Sequence, residues 1–358
     1  MRASPGRRAC PVVTVQEPSA NRRFGHHALA GSIATLSIVT PRSQGGRVCQ
    51  TGAMKIAVTG STGFIGSALT RSLLADGHEV VRLVRPGARL GAWSDGSRGA
   101  SWDPTAGTID REALEDIDGA VHLAGAGVGD RRWSAAYKTQ ILESRRRGTT
   151  LLAETLAGLN SGPRVLVSAS AVGYYGQTGD RVVTEEDGPG ADFLAQVCQV
   201  WEDSADPARH AGIRVAHART GIVFDGGGGA AAQLLPLFRL GLGGRLGDGH
   251  QYWSLISLTD EVAALRFLIE RDDVVGPVNL TAPSPVTNAQ LTEELGRQLR
   301  RPTLLPVPRF ALRLALGEMA VEVIGSQRVE PRALRDNGFM FRHPELADIV
   351  AAGLGGAV

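Results

Sequence analysis

The segment Lys55-Ile56-Ala57-Val58-Thr59-Gly60-Ser61-Thr62-Gly63-Phe64-Ile65-Gly66 constrains this chain more than any other. An apolar, β-branched run meets glycines spaced Gly-x-x-Gly-x-x-Gly, and Phe64, Ala68, Leu69, Leu73 and Leu74 continue at helical spacing to a stop at Asp76-Gly77. A second apolar strand, Val80 to Val84, completes a βαβ unit of about 30 residues. A dinucleotide diphosphate needs this order. Gly60 allows a tight turn, Gly63 lets bare backbone approach the phosphates, and Gly66 lets the helix lie close to the sheet. The helix then aims unpaired N–H groups at the anion.

After Met54, strand and helix patterns alternate, which predicts an α/β chain: a Rossmann-type, doubly wound parallel sheet with a smaller C-terminal α/β substrate-side domain. Residues 54–225 are expected to form the coenzyme-binding part, with later chain completing the sheet. Residues 226–301 read as a substrate-side segment and 302–352 as a small appended domain. Helices are expected over Ser134 to Leu159 and Phe193 to His210, and strands over Arg164 to Ser168 and Ile213 to Ala218. Asp225 with Gly226 to Gly229 reads as a hinge, and Asp260 as the cap of a helix over Glu261 to Glu270.

Net charge is +2, but residues 1–53 hold seven arginines (Arg2, Arg7, Arg8, Arg22, Arg23, Arg42, Arg47) against Glu17 alone. The body is therefore slightly acidic, which argues against a nucleic-acid surface. No apolar run reaches the ~18 residues of a membrane span. Beyond Cys10 and Cys49, only Cys198 remains, so neither a disulfide framework nor a metal-ligand spacing is present, as suits a cytoplasmic protein. Residues 1–53 have three readings: a targeting segment, a disordered tail, or a mis-called start with translation beginning at Met54. The last is the one adopted. A homodimer is left open.

The second strand ends Leu83-Val84-Arg85-Pro86 without an acid. An acid there would take both ribose hydroxyls of NAD, whereas arginine pairs with a 2′-phosphate, so NADP(H) is preferred over NAD(H). Arg82 adds a second charge if it faces the same side.

Several ordered segments resemble the extended short-chain dehydrogenase/reductases. Within them, the match is to an atypical epimerase-family branch, NAD-dependent epimerase/dehydratase-like and in part labelled as cell-division inhibitors. The resemblance covers residues 54–352. It rests on the glycine motif, His122-Leu123-Ala124-Gly125, Arg132-Trp133, Ile141 to Arg145 with Gly148-Thr149, Ser168 to Gly176, and Phe193 to Glu202. Gln327 to Pro331 and Gly338 to Phe341 resemble the branch's small C-terminal domain.

The resemblance implies coenzyme contacts from Gly60, Ser61, Thr62, Gly63, Phe64, Ile65, Gly66, Arg85, Leu123, Ala124, Gly125, Ser168 and Ala169. Such enzymes pair a Ser or Thr with Tyr-x-x-x-Lys, the lysine helping the phenol to move a proton. Here Ser170 survives, but Leu194 holds the tyrosine position and Cys198 the lysine position. Ser170 and Tyr174 are left as catalytic candidates, and Arg145, Tyr175 and Arg245 as substrate-side ones, for an unidentified small-molecule substrate. Arg145 either holds an anion or pairs with Glu143 or Glu202. Retention of the coenzyme cradle without Tyr and Lys keeps a second function open, a non-catalytic NADP(H)-binding sensor or scaffold linked to cell division.

Overall fold

The computed structural model describes residues 52–355; the readings of residues 1–51 lie outside them. Seven parallel strands form the central sheet. They are β1 (Lys55–Thr59), β2 (Glu79–Val84), β3 (Arg98–Asp103), β4 (Gly119–His122), β5 (Val165–Ala171), β6 (Arg214–Thr220) and β7 (Gly276–Leu280). Their spatial order is β3-β2-β1-β4-β5-β6-β7, with a short antiparallel piece, Gly91–Ala92, outside β3. The order reverses between β1 and β4, so the carboxyl ends diverge there and leave a crevice.

Alternation along β1 shows why two layers of helix cover this sheet. Ile56 and Val58 face a core containing Leu69 and Leu73 of α1 (Phe64–Ala75), together with Leu265 and Leu268 further along the chain. Ala57 faces the opposite core, with Leu83, Leu152, Leu156 and Leu166. Helix α2 (Ala135–Ala157) begins at Ser134, whose hydroxyl accepts the Tyr137 N–H.

Three expectations change. The helix expected over Phe193 to His210 is two, α3 (Phe193–Asp203) and a short turn Asp206–His210, because Pro207 has no N–H to continue the first ladder. Within the glycine run read as a hinge, Gly228 is packed: a Cβ there would press on the Phe64 ring, 2.9 Å from one ring carbon, whereas Gly227 and Gly229 are exposed. Asp260 is not a cap. Helix α4 (Leu258–Glu270) is capped by Ser257, and the fully buried Asp260 carboxylate accepts the backbone N–H groups of Arg342 and His343, each at 2.9 Å. That contact fastens the C-terminal segment to the sheet domain.

Next to it, Glu261 is wholly buried, with Thr220 donating to one carboxyl oxygen and the other unpartnered. Burial pushes its carboxyl up to about 8. Below the ordinary carboxylate range both folded and unfolded chains hold the proton. From there up to about pH 8 the unfolded chain releases it while the folded chain keeps it. Stability therefore falls through that window, by up to about 1.4 kcal/mol per pH unit, and then levels. Glu261→Gln is expected to flatten this slope and to raise the melting temperature more at pH 8 than at pH 5, as a pH series of thermal melts would record.

Candidate active site

A cleft of about 1070 Å³ opens at the carboxyl ends of β1, β2, β3 and β4. Gly60 to Gly63, Arg85, Trp102 and Leu123 to Gly127 are among its walls. The volume is at the upper end of small-molecule sites. Gly60 takes φ +65°, and a Cβ there would lie 3.0 Å from the Leu123 carbonyl carbon. A Cβ on Gly66 would lie 2.8 Å from the Gly60 carbonyl carbon, so only glycine lets α1 close on the turn. No side chain caps α1 and no acid stands in its first turn. Its leading N–H groups are left for an anion.

Arg82 and Arg85 have different fates. Arg82 is buried and donates to the Ser61 carbonyl at 3.0 Å and to Ser97 at 2.6 Å, while pairing with Asp95 at 2.5 Å. It braces the glycine turn from behind and its charge is spent. Arg85 lies exposed in the cleft wall, without an ion-pair partner among the described residues. Asp103, in the same wall, uses one carboxyl oxygen to hold the turn through Thr105 and Ala106.

The strand end at Leu123 is held by Thr59. Its Oγ1 accepts the N–H groups of Leu123 (3.1 Å) and Ala124 (3.2 Å), so its own hydrogen points to His122 Nδ1 at 2.8 Å. Burial, helped by the charge of Arg145, drives the His122 ring down to about 3, and it stays neutral.

Around Ser170 the structure holds a buried network that the sequence did not suggest. Ser170 donates to Glu202 at 2.7 Å, and Glu202 takes a two-pronged pair from Arg219, both contacts at 2.8 Å. Arg219 also donates to the Tyr175 hydroxyl at 3.0 Å, and Tyr175 donates to Asn279 at 2.7 Å. The Arg219 guanidinium lies 3.4 Å from the centre of the Tyr174 ring. Tyr175, expected on the substrate side, is instead buried away from the cleft lining with its hydroxyl engaged, and burial pushes it up to about 12. Tyr174 is half-buried and its hydroxyl has no partner among the described residues. Ser168 and Ala169 are buried within β5.

At the positions of the missing pair, Leu194 and Cys198 both pack toward Gly173. Burial, with the neighbouring charge of Glu202, pushes the Cys198 thiol up to about 12, which disfavours the thiolate. Arg145 pairs with neither Glu143 nor Glu202. It donates to the Ala126 carbonyl at 2.9 Å and to Ile141 at 3.1 Å. Arg245 is exposed on a loop whose backbone binds Val307, and it does not line the cleft. Outside the cleft lining, the Glu322 carboxyl is pushed up to about 7 by burial and by the charge of Asp192, the cap of α3. Only packing reveals it, because nothing in the local sequence marks Glu322.

A family model described as "NAD dependent epimerase/dehydratase family" matches residues 56–280. The chain belongs to that family. A second model, a domain of unknown function (DUF1731), matches residues 307–352, where the C-terminal appendage is expected. An epimerase family protein of Mycobacterium bovis is 47% identical over 294 residues, covering 82% of this chain and 95% of that protein. The structure of the human epimerase family protein SDR39U1 (isoform2), solved with NADPH, is 31% identical with a TM-score of 0.75, over 84% of this chain and 99% of that one. A nucleoside-diphosphate sugar epimerase of Corynebacterium glutamicum is 36% identical with a TM-score of 0.69; the match covers 85% of this chain, which spans 59% of that protein. The family is NAD(P)-binding and its fold is the Rossmann type found here. No helix among the described residues is long and apolar enough to cross a membrane.

Proposed function

We propose that this epimerase-family chain binds NADP(H) in preference to NAD(H) and serves as a cytoplasmic oxidoreductase or epimerase on a small polar, sugar-like substrate. The observation that carries the reading is the uncapped glycine cradle with Arg85 exposed in the same cleft wall and no acid at the end of β2. The NADPH in the human relative's structure supports the coenzyme, and the Corynebacterium relative's description supports the substrate class.

Bound there, the coenzyme supplies hydride exchange at its nicotinamide. The backbone of Gly60 to Gly66 would hold the diphosphate, and the Arg85 guanidinium the 2′-phosphate. Tyr174, whose ring stacks on the Arg219 guanidinium while its hydroxyl has no partner among the described residues, would pass a proton to or from a substrate oxygen. Ser170 is held by Glu202, so it polarises that oxygen only when its hydrogen turns away from the carboxylate. The second reading, a non-catalytic NADP(H) sensor or scaffold, is favoured by Leu194 and Cys198, which leave α3 neither phenol nor cation.

Isothermal titration tests the coenzyme assignment. Arg85→Ala is expected to weaken NADPH binding about 10- to 100-fold and to leave NADH binding unchanged, the loss expected for one charged bidentate contact. Equal wild-type affinity for NADPH and NADH would overturn it. Oxidation of NADPH with any member of a carbonyl or nucleotide-sugar library excludes the sensor reading.

A further inference from the structure

Arg145 is a buried charge that its surroundings leave unbalanced. It is 9% exposed, yet no carboxylate among the described residues pairs with it: Glu143 is taken by Arg146 and Arg147, and Glu202 by Arg219. Its contacts are the Ala126 and Ile141 carbonyls and the face of Trp201, 4.6 Å from the ring centre. Carbonyl dipoles and a π face ease a cation's burial without cancelling its charge. The adjoining Cys198 stays a thiol and His122 stays neutral, so neither cancels it.

The position is specific. A Cβ on Gly125 would lie 3.3 Å from the Arg145 guanidinium carbon, and Gly125 to Gly127 line the cleft. This wall is on the β4 side of the switch point, across the glycine turn from Arg85. A dinucleotide with its diphosphate on Gly60 to Gly66 and its adenosine at Arg85 would extend its nicotinamide half toward this wall, behind which Arg145 lies.

We propose that Arg145 selects the redox form of the coenzyme, retaining NADPH over NADP⁺ and so setting the protein to work as a reductase. The inference rests on the coenzyme reading above. The oxidised nicotinamide ring is a cation and the reduced ring is neutral, so a fixed positive charge beside the ring penalises only the former. Two unit charges several ångströms apart at an effective dielectric near ~20 give a preference on the order of tenfold or more. The same repulsion favours release of the oxidised coenzyme once hydride has passed to a substrate carbon and a proton to its oxygen.

Titration calorimetry on the full chain with NADPH and with NADP⁺ reads this directly. Wild type is expected to bind NADPH about tenfold more tightly or better. Arg145→Met should bring the two affinities together, while Arg145→Lys keeps them apart. A tenfold change in that ratio is a shift of about 30 mV in the bound couple. Arg145→Gln, which keeps an N–H donor for the Ala126 carbonyl, replaces the Met variant if the latter does not fold. Loss of loop anchoring alone would weaken both forms equally. The proposal is overturned if wild type binds both forms alike, or if either neutral variant binds with the ratio unchanged. If wild type takes up neither form, the coenzyme reading itself has failed.

Discussion

Replacing Glu202 by alanine is expected to lower stability by about 3–5 kcal/mol and the melting temperature by on the order of 10 °C. The reason is the ion pair it leaves behind. Arg219 is 3% exposed and Glu202 11%, so the remaining guanidinium would stay in a low-dielectric site with only the Tyr175 hydroxyl and the Tyr174 ring face against it. Arg219→Ala should cost a similar amount by stranding the carboxylate, which would keep only the Ser170 hydroxyl. The double variant Glu202→Leu/Arg219→Met removes both charges and is expected to recover most of the loss, since a well-packed apolar pair is often as stable as a buried ionic one. Urea denaturation of the three variants measures this. Single variants within about 0.5 kcal/mol of wild type would mean that the pair is far better hydrated than its burial indicates.

The second large effect falls on the cradle. Gly66→Ala puts a Cβ 2.8 Å from the Gly60 carbonyl carbon and 3.0 Å from Ser61 Cα, both rigid backbone. Either α1 moves off the sheet or the turn opens. The overpacking is expected to cost about 1–3 kcal/mol. Because the N–H groups no longer converge, NADPH affinity should fall at least about 100-fold. Gly77→Ala is the control. Nothing lies within 4 Å of its Cβ, so only the backbone strain of φ +80° is felt, far from the cleft. Fluorescence titration of bound NADPH distinguishes the two. Near-normal binding by Gly66→Ala would show that the turn tolerates a side chain.

The cradle was legible because its signal is local: strand, three glycines and the start of the helix follow one another within twelve residues, and the side-chain pattern and the turn agree. Arg85 was legible for the same reason, as a strand end read in order. The network behind Ser170 was not. Arg219 lies opposite Ser170 only through the register of β5 and β6, and Glu202 reaches it from a helix 17 residues earlier. Pairings of that kind are set by how strands align, which no local pattern records. The same holds for Asp260, read as a cap from its place before an apolar helix. Its carboxylate instead serves Arg342 and His343, more than 80 residues away. Arg145 was placed at the site, but its lack of a partner emerged only once Glu143 and Glu202 were seen to be engaged elsewhere.

The central claim is that the glycine turn before α1 receives a dinucleotide diphosphate. Hydrogen–deuterium exchange of wild type with and without NADPH tests it at the atoms concerned. Saturating NADPH is expected to slow exchange at the N–H groups of Thr62 to Gly66 and at Leu123 to Gly127, and to leave the Arg309–Leu316 helix unchanged. Unaltered exchange across Thr62 to Gly66 at millimolar coenzyme would contradict it.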